Sequence, residues 1–226
     1  MSHNAAKPIQ ITIDTTASVS GLWQEAPRAK ACYVVAHSAG AGMEQPFLVS
    51  LAAELAARQV STLRYQFPYM DRGSKRPDPP KLCHAVIRAA VADATRRSSA
   101  PLIAGGRSFG GRMTSQAQAE DPLPGVLGLA FVAFPLHPAK QPSITRAAHL
   151  SEVQVPLLFL QGTRDALAEL QLLEPVVAKL GKRATLKLFD SADHSFHVPA
   201  RSGRRDADIL IETADTLVSW IGTLAG

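Results

Sequence analysis

The chain has 226 residues, 46% hydrophobic and 19% charged, with both kinds spread along its length. That mixture excludes a disordered chain and suffices for one domain, residues 1–226, with a sizeable core. The formal net charge is +5, but the basic residues come as scattered pairs (Arg28 with Lys30, Lys75-Arg76, Arg96-Arg97, Arg204-Arg205). With no dense run and no aromatic platform, no nucleic-acid partner is expected, and charge alone does not assign an anionic substrate.

The chain begins Met1-Ser-His-Asn-Ala-Ala-Lys-Pro, which lacks the apolar stretch of a secretory signal. Ile9–Asp14 alternates apolar and polar residues and is predicted as an edge strand. Ala31–Ala36 is a buried-strand pattern containing Cys32, and His37-Ser-Ala-Gly-Ala-Gly42 is the turn after it. A helix follows over Glu44–Arg58, with Phe47, Leu48, Leu51 and Leu55 on one face and Pro46 in the first turn, where proline is tolerated. Val60–Tyr65 is the next strand. Phe67–Lys81, rich in proline and charge, has no periodicity and is expected as a loop, a candidate flap over a site. Leu82–Arg97 is a helix holding Cys83 and ending in two arginines.

Pro101–Gly105 then reads as a strand, Gly106-Arg107-Ser108-Phe109-Gly110 as a sharp turn, and the residues from Gly111 as a helix. Val126–Phe134 and Val155–Gln161 are apolar strands joined by an irregular connection, Pro135–Val153, too short for an inserted lid domain. Ala168–Leu180 is helical with a break expected at Pro175. Ala184–Phe189 is the last strand. Asp206–Leu224 closes the chain as a helix with Leu210, Ala214, Leu217, Ile221 and Leu224 on one stripe. Uniformly apolar strands between amphipathic helices predict an α/β fold, a mainly parallel sheet covered on both faces. No window is long and apolar enough to cross a bilayer, and the two cysteines have no metal-ligand spacing and are expected as free thiols. A cytoplasmic protein with no membrane partner is the expectation, and no metal or cofactor is implied.

A strand–turn–helix passage with glycine two residues on either side of a serine is what a nucleophile elbow requires. The serine takes a strained backbone position, and its flanking residues must be very small to pass each other. A serine hydroxyl still needs a base and a group to orient that base. Asp165 follows the strand ending at Gln161, and His194 follows the strand ending at Phe189. Both therefore fall at carboxyl ends of strands, beside Ser108, where sites lie in such sheets. Asp165 could instead cap the following helix, and His197 is the rival base. Asp190 and Asp193 share the histidine's own loop, and Asp193 is expected to brace it. The Phe109 amide, with that of Ala39 in the His37–Gly42 turn, are candidate oxyanion donors. His37 is expected to prop that turn, and His137 either borders the pocket or is structural.

At Gly105-Gly-Arg-Ser-Phe-Gly-Gly-Arg112, Phe134-Pro-Leu-His-Pro138, Leu158-Phe-Leu-Gln-Gly-Thr-Arg-Asp165 and Asp193-His-Ser-Phe196 the chain resembles the α/β-hydrolase superfamily. More narrowly it is similar to the compact, lidless, dienelactone-hydrolase-like branch, which includes bacterial proteins, a testis-expressed vertebrate protein and a domain of a chromatin-complex subunit. The resemblance covers about residue 31 to the C-terminus. It implies a serine hydrolase of esterase or thioesterase type acting on a small-molecule acyl substrate, with Ser108, Asp165 and His194 as its triad. Two positions depart from the pattern. Dienelactone hydrolases proper use a cysteine nucleophile where this chain has Ser108, so their activity does not carry over. The usual His-Gly of the early turn is His37-Ser38 here. A binding or scaffold module on the same fold is the rival reading, and acyl transfer or perhydrolysis would use the same machinery.

Overall fold

Strand residues alternate between two apolar layers, and that alternation builds the molecule. In β3 (Ala31–Ala36), Cys32, Val34 and Ala36 pack into one core, and Ala31, Tyr33 and Val35 into the other. The same division holds in β6 (Val126–Val132) from Leu129 onward and in β7 (Leu157–Gly162). A strand apolar on both faces is stable only between two layers of helix. The computed structural model describes residues 5–224, so the first four residues of the N-terminal segment read above lie outside it.

The remaining strands are β1 (Lys7–Thr12), β2 (Ser18–Gln24), β4 (Val60–Tyr65), β5 (Leu102–Arg107) and β8 (Ala184–Phe189). They form one eight-stranded sheet in the order β1-β2-β4-β3-β5-β6-β7-β8. The pairs β1–β2 and β2–β4 are antiparallel and all others parallel. Helices α1 (Pro46–Ala57) and α6 (Asp206–Leu224) contribute to one core. Helices α3 (Pro80–Arg97), α4 (Phe109–Glu120) and α5 (Leu170–Leu180) contribute to the other.

β3 lies between β4 and β5, so the chain leaves β3 to one side and returns on the other. The loops after β3 and β5 diverge there and open a crevice at the carboxyl ends of the strands. The His37 turn and the Ser108 turn flank that crevice. Between β6 and β7 the connection holds one 3₁₀ segment, Thr145–Glu152, and no lid domain.

Four expectations change. β2 was not anticipated: Gly21 interrupts its alternation, and the side chains of Ile9 and Ile11 fill the space a Cβ would occupy. The 67–81 stretch is not all loop. It contains a short helix, α2 (Pro68–Asp71), and α3 begins at Pro80 rather than Leu82. Pro175 does not break α5, because Pro175 and Gln171, whose carbonyl loses its donor, are both exposed to water. β6 ends at Val132, since Ala133 takes a positive φ of 56°.

Candidate active site

Ser108 caps α4 with φ 52° and ψ −117°, a conformation L-residues adopt only under constraint. Its amide donates to the Val132 carbonyl at 2.8 Å, which pins the turn to β6. The glycines make the turn sterically feasible. A Cβ on Gly106 would lie 2.7 Å from the Ala36 carbonyl oxygen and from the Gly110 carbonyl carbon, and one on Gly110 would lie 2.6 Å from the His37 carbonyl oxygen. Each added carbon would strike backbone, which cannot rotate away.

The carboxyl-end loops bring the other two residues to this serine. The Ser108 hydroxyl lies 2.9 Å from His194 Nε2, and His194 Nδ1 lies 2.7 Å from Asp165 Oδ2. A carboxylate only accepts, so Nδ1 carries the proton and Nε2 is free to accept from Ser108. The Asp165 carboxylate is fully buried. It also accepts from Gln161 Nε2 at 2.5 Å and, through Oδ1, from the Leu167 amide at 2.8 Å. Asp165 does not cap α5, whose N-cap is Glu169; it holds the turn of its own loop while facing the histidine. His197 turns away to an exposed ion pair with Asp206, whose carboxylate raises the imidazole's pKa. Asp193 braces the loop by accepting from the Ser195 and His197 amides at 2.7 and 3.0 Å. Asp190 accepts from Thr163 and Ser191.

Residues 29–222 match the family model described as an alpha/beta hydrolase domain. The chain belongs to that family. Among solved structures it is similar to a dienelactone hydrolase from Anabaena variabilis, with 17% identity, 99% of each chain covered and a TM-score of 0.78. A Xanthomonas campestris protein described as an a/b serine hydrolase without lid gives 18% identity over 96% of this chain and 95% of that one, with a TM-score of 0.74. The esterase domain of a Rhodothermus marinus protein gives 14% identity, coverage of 98% and 99%, and a TM-score of 0.74. At these identities the likeness is one of fold, that of the dienelactone-hydrolase-like branch.

Around the serine of this hydrolase domain, the early turn is held from beneath. His37 is fully buried, and burial pushes its pKa down to about 4 against the opposing Ser38 carbonyl and Asp71. Its Nε2 accepts from the Phe67 amide at 3.0 Å, so its Nδ1–H donates to the Ser38 carbonyl at 2.7 Å. It props the turn, as the sequence suggests. Ser38 donates to Gln45 Oε1 at 3.2 Å. That oxygen also accepts from Arg107 at 2.6 Å, and the Arg107 guanidinium lies 4.8 Å over the Phe47 ring and 3.5 Å from the His194 carbonyl. The side chain at Ser38 therefore fastens the turn to the elbow.

Neither the Phe109 nor the Ala39 amide donates to a backbone acceptor among the described residues. Both residues line a cavity of about 430 Å³ together with Ser108, Arg112, Pro135 and Arg146. The 67–81 stretch supplies part of its wall through Pro77 and Asp78. Asp78 is buried and accepts from the Tyr69 amide at 2.7 Å and from Arg72 at 2.6 Å, which ties that stretch to itself. His137 is buried against the Pro138 carbonyl and Glu169, outside the cavity lining.

The sequence reading missed Gln161, Gln45 and the two cavity arginines. Gln161 did leave a signal: a polar residue closes an otherwise apolar strand, four positions before the aspartate it grips.

Proposed function

We propose that the protein is a serine hydrolase of carboxylesterase or thioesterase type, acting on small acyl esters. The observation that carries this reading is the unbroken hydrogen-bonded path from buried Asp165 through His194 to Ser108 on a strained elbow. Ser108 Oγ attacks the acyl carbonyl as its proton passes to His194 Nε2. Asp165 holds the imidazole in that tautomer and stabilises its charged form. The Phe109 and Ala39 amides receive the oxyanion, and the N-terminus of α4 favours the negative charge. His194 then protonates the leaving alcohol or thiol. Water attacks the acyl-enzyme through the same base, and the acid departs.

The cavity's volume and the short β6–β7 connection suit small acyl groups rather than long chains. A cytoplasmic setting fits the two free cysteines, whose burial pushes both thiols up to about 12 and makes them inert. Among the described residues no helix is long and apolar enough to cross a membrane.

Rapid-mixing kinetics with p-nitrophenyl acetate and a short-chain acyl thioester test the reading. A product burst matched to enzyme concentration, followed by steady turnover and lost in Ser108→Ala, is expected. Turnover by Ser108→Ala equal to that of the native protein would overturn it.

A further inference from the structure

Two arginines face the same cavity as Ser108, and neither has a carboxylate. Arg112 lies one helical turn, about 5.4 Å along α4, beyond Ser108, and its amide donates to the Ser108 carbonyl at 3.2 Å. Arg146 reaches the cavity from the 3₁₀ segment of the β6–β7 connection. Both are half-buried. Among the described residues neither guanidinium forms an ion pair, in contrast to Arg58, Arg72, Arg88, Arg97 and Arg204, each bound to an aspartate or glutamate. The Arg112 Nε is buried with no acceptor.

Among the described residues the cavity wall leaves no unengaged carboxylate to offset them. Burial lowers the pKa of Arg112, and Arg146 lowers it further. His149 is pushed down to about 4, by burial first and then by Arg112, and is neutral. The Cys83 thiol is pushed up to about 12 and is neutral as well. Asp78 lines the cavity, but its two oxygens are held by Arg72 and the Tyr69 amide. A buried guanidinium nitrogen without an acceptor, such as Arg112 Nε, is costly, and a planar fork of N–H donors matches a carboxylate or phosphate.

We infer that the acyl substrate carries an anionic group, carboxylate or phosphate, which Arg112 and Arg146 bind while Ser108 attacks the ester carbonyl a few bonds away. The inference rests on the serine-hydrolase reading and narrows its substrate class. The reaction is unchanged: the Ser108 oxygen–acyl bond forms, the ester or thioester bond breaks, and the leaving group takes its proton from His194. The two arginines bind the anion and exchange no proton.

The test compares the p-nitrophenyl monoesters of succinate and glutarate with the neutral butyrate and valerate esters. Native protein should prefer the anionic ester of each pair in kcat/KM by about tenfold or more, the effect of one charge-assisted hydrogen bond. The preference should shrink as salt rises. Arg146→Gln should lower that ratio mainly through KM, and Arg146→Glu should invert it, so that the neutral ester of each pair is preferred. Equal kcat/KM for neutral and anionic esters in native protein, or an unchanged ratio in both variants, overturns the inference. Turnover of neutral esters with no anionic preference would remove the anion site and leave the serine hydrolase standing. Loss of all ester turnover and of the acyl-enzyme burst would remove both. Glutarate and inorganic phosphate as competitive inhibitors separate the two sources of the anion: the tighter inhibitor identifies the group, and inhibition by neither contradicts the site.

Discussion

The two sides of Ser108 are built differently. On the side of β7 and β8 the polar groups around the serine are matched to one another. Asp165 accepts from His194, Gln161 and the Leu167 amide, and His194 in turn accepts from Ser108. On the side of α4 and the β6–β7 connection, Arg112 and Arg146 face the cavity and form no ion pair among the described residues. The first side is complete before a substrate arrives, which is the condition for electrostatic preorganisation. The second side is completed by what binds. Changes on the matched side should therefore weaken turnover of every ester alike, whereas changes on the open side should discriminate by charge.

The largest effects belong to the matched side. Ser108→Ala and His194→Ala should each lower kcat by about 10,000-fold or more with neutral and anionic esters alike, measured in steady-state assays. Asp165→Asn should come close behind, at about 1,000- to 10,000-fold, because an amide can turn its N–H toward Nδ1 and fix the wrong tautomer. A large loss confined to one class of ester would break the comparison.

Gly110→Ala tests the backbone that holds the two sides together. Its Cβ would sit 2.6 Å from the His37 carbonyl oxygen. Thermal denaturation should show a Tm lower by about 5–10 °C, from roughly 2–3 kcal/mol of overpacking, with activity lost even where the protein still folds. A native Tm would mean that the turn has room the geometry does not show.

Gln161→Leu sharpens the comparison further. It removes one of the donors on Asp165 Oδ2 and also eliminates the buried, unpartnered Gln161 Oε1. Stability should hold or rise, while kcat falls by about tenfold with KM little changed, as expected for a group that orients the orienter. A change in KM alone would assign Gln161 to binding instead.

The last effect is on stability against pH. His37 and His149 each have a folded pKa near 4, below the unfolded value of 6.5. Between these values the unfolded chain takes up protons that the folded chain refuses. Their contribution is therefore present above about pH 6.5, declines as pH falls, and levels off below about pH 4. Urea denaturation midpoints over this range should show the decline, and His149→Gln should make it shallower. An unchanged slope would count against a buried, neutral His149.

The parts of the molecule set by local pattern were legible in the sequence. β3, β4, β8 and α6 fall on the residues that hydrophobic periodicity marked. Ser108, Asp165 and His194 were legible because each sits at the carboxyl end of a strand, and strand ends can be read from the chain alone. β2 was hidden because Gly21 breaks its alternation for a reason that lies on another strand, the side chains of Ile9 and Ile11. The cavity arginines were hidden for a related reason. Arg112 looks like any exposed helix residue until the connection after β6 carries Arg146 to it, and the course of an irregular connection has no period to read.

Labelling with a fluorophosphonate probe, followed by peptide mass spectrometry, tests the central claim most directly. Native protein should carry one adduct, on Ser108. His194→Ala should label far more slowly, and Ser108→Ala not at all. An unlabelled native protein, or equal labelling of Ser108→Ala, would contradict the account.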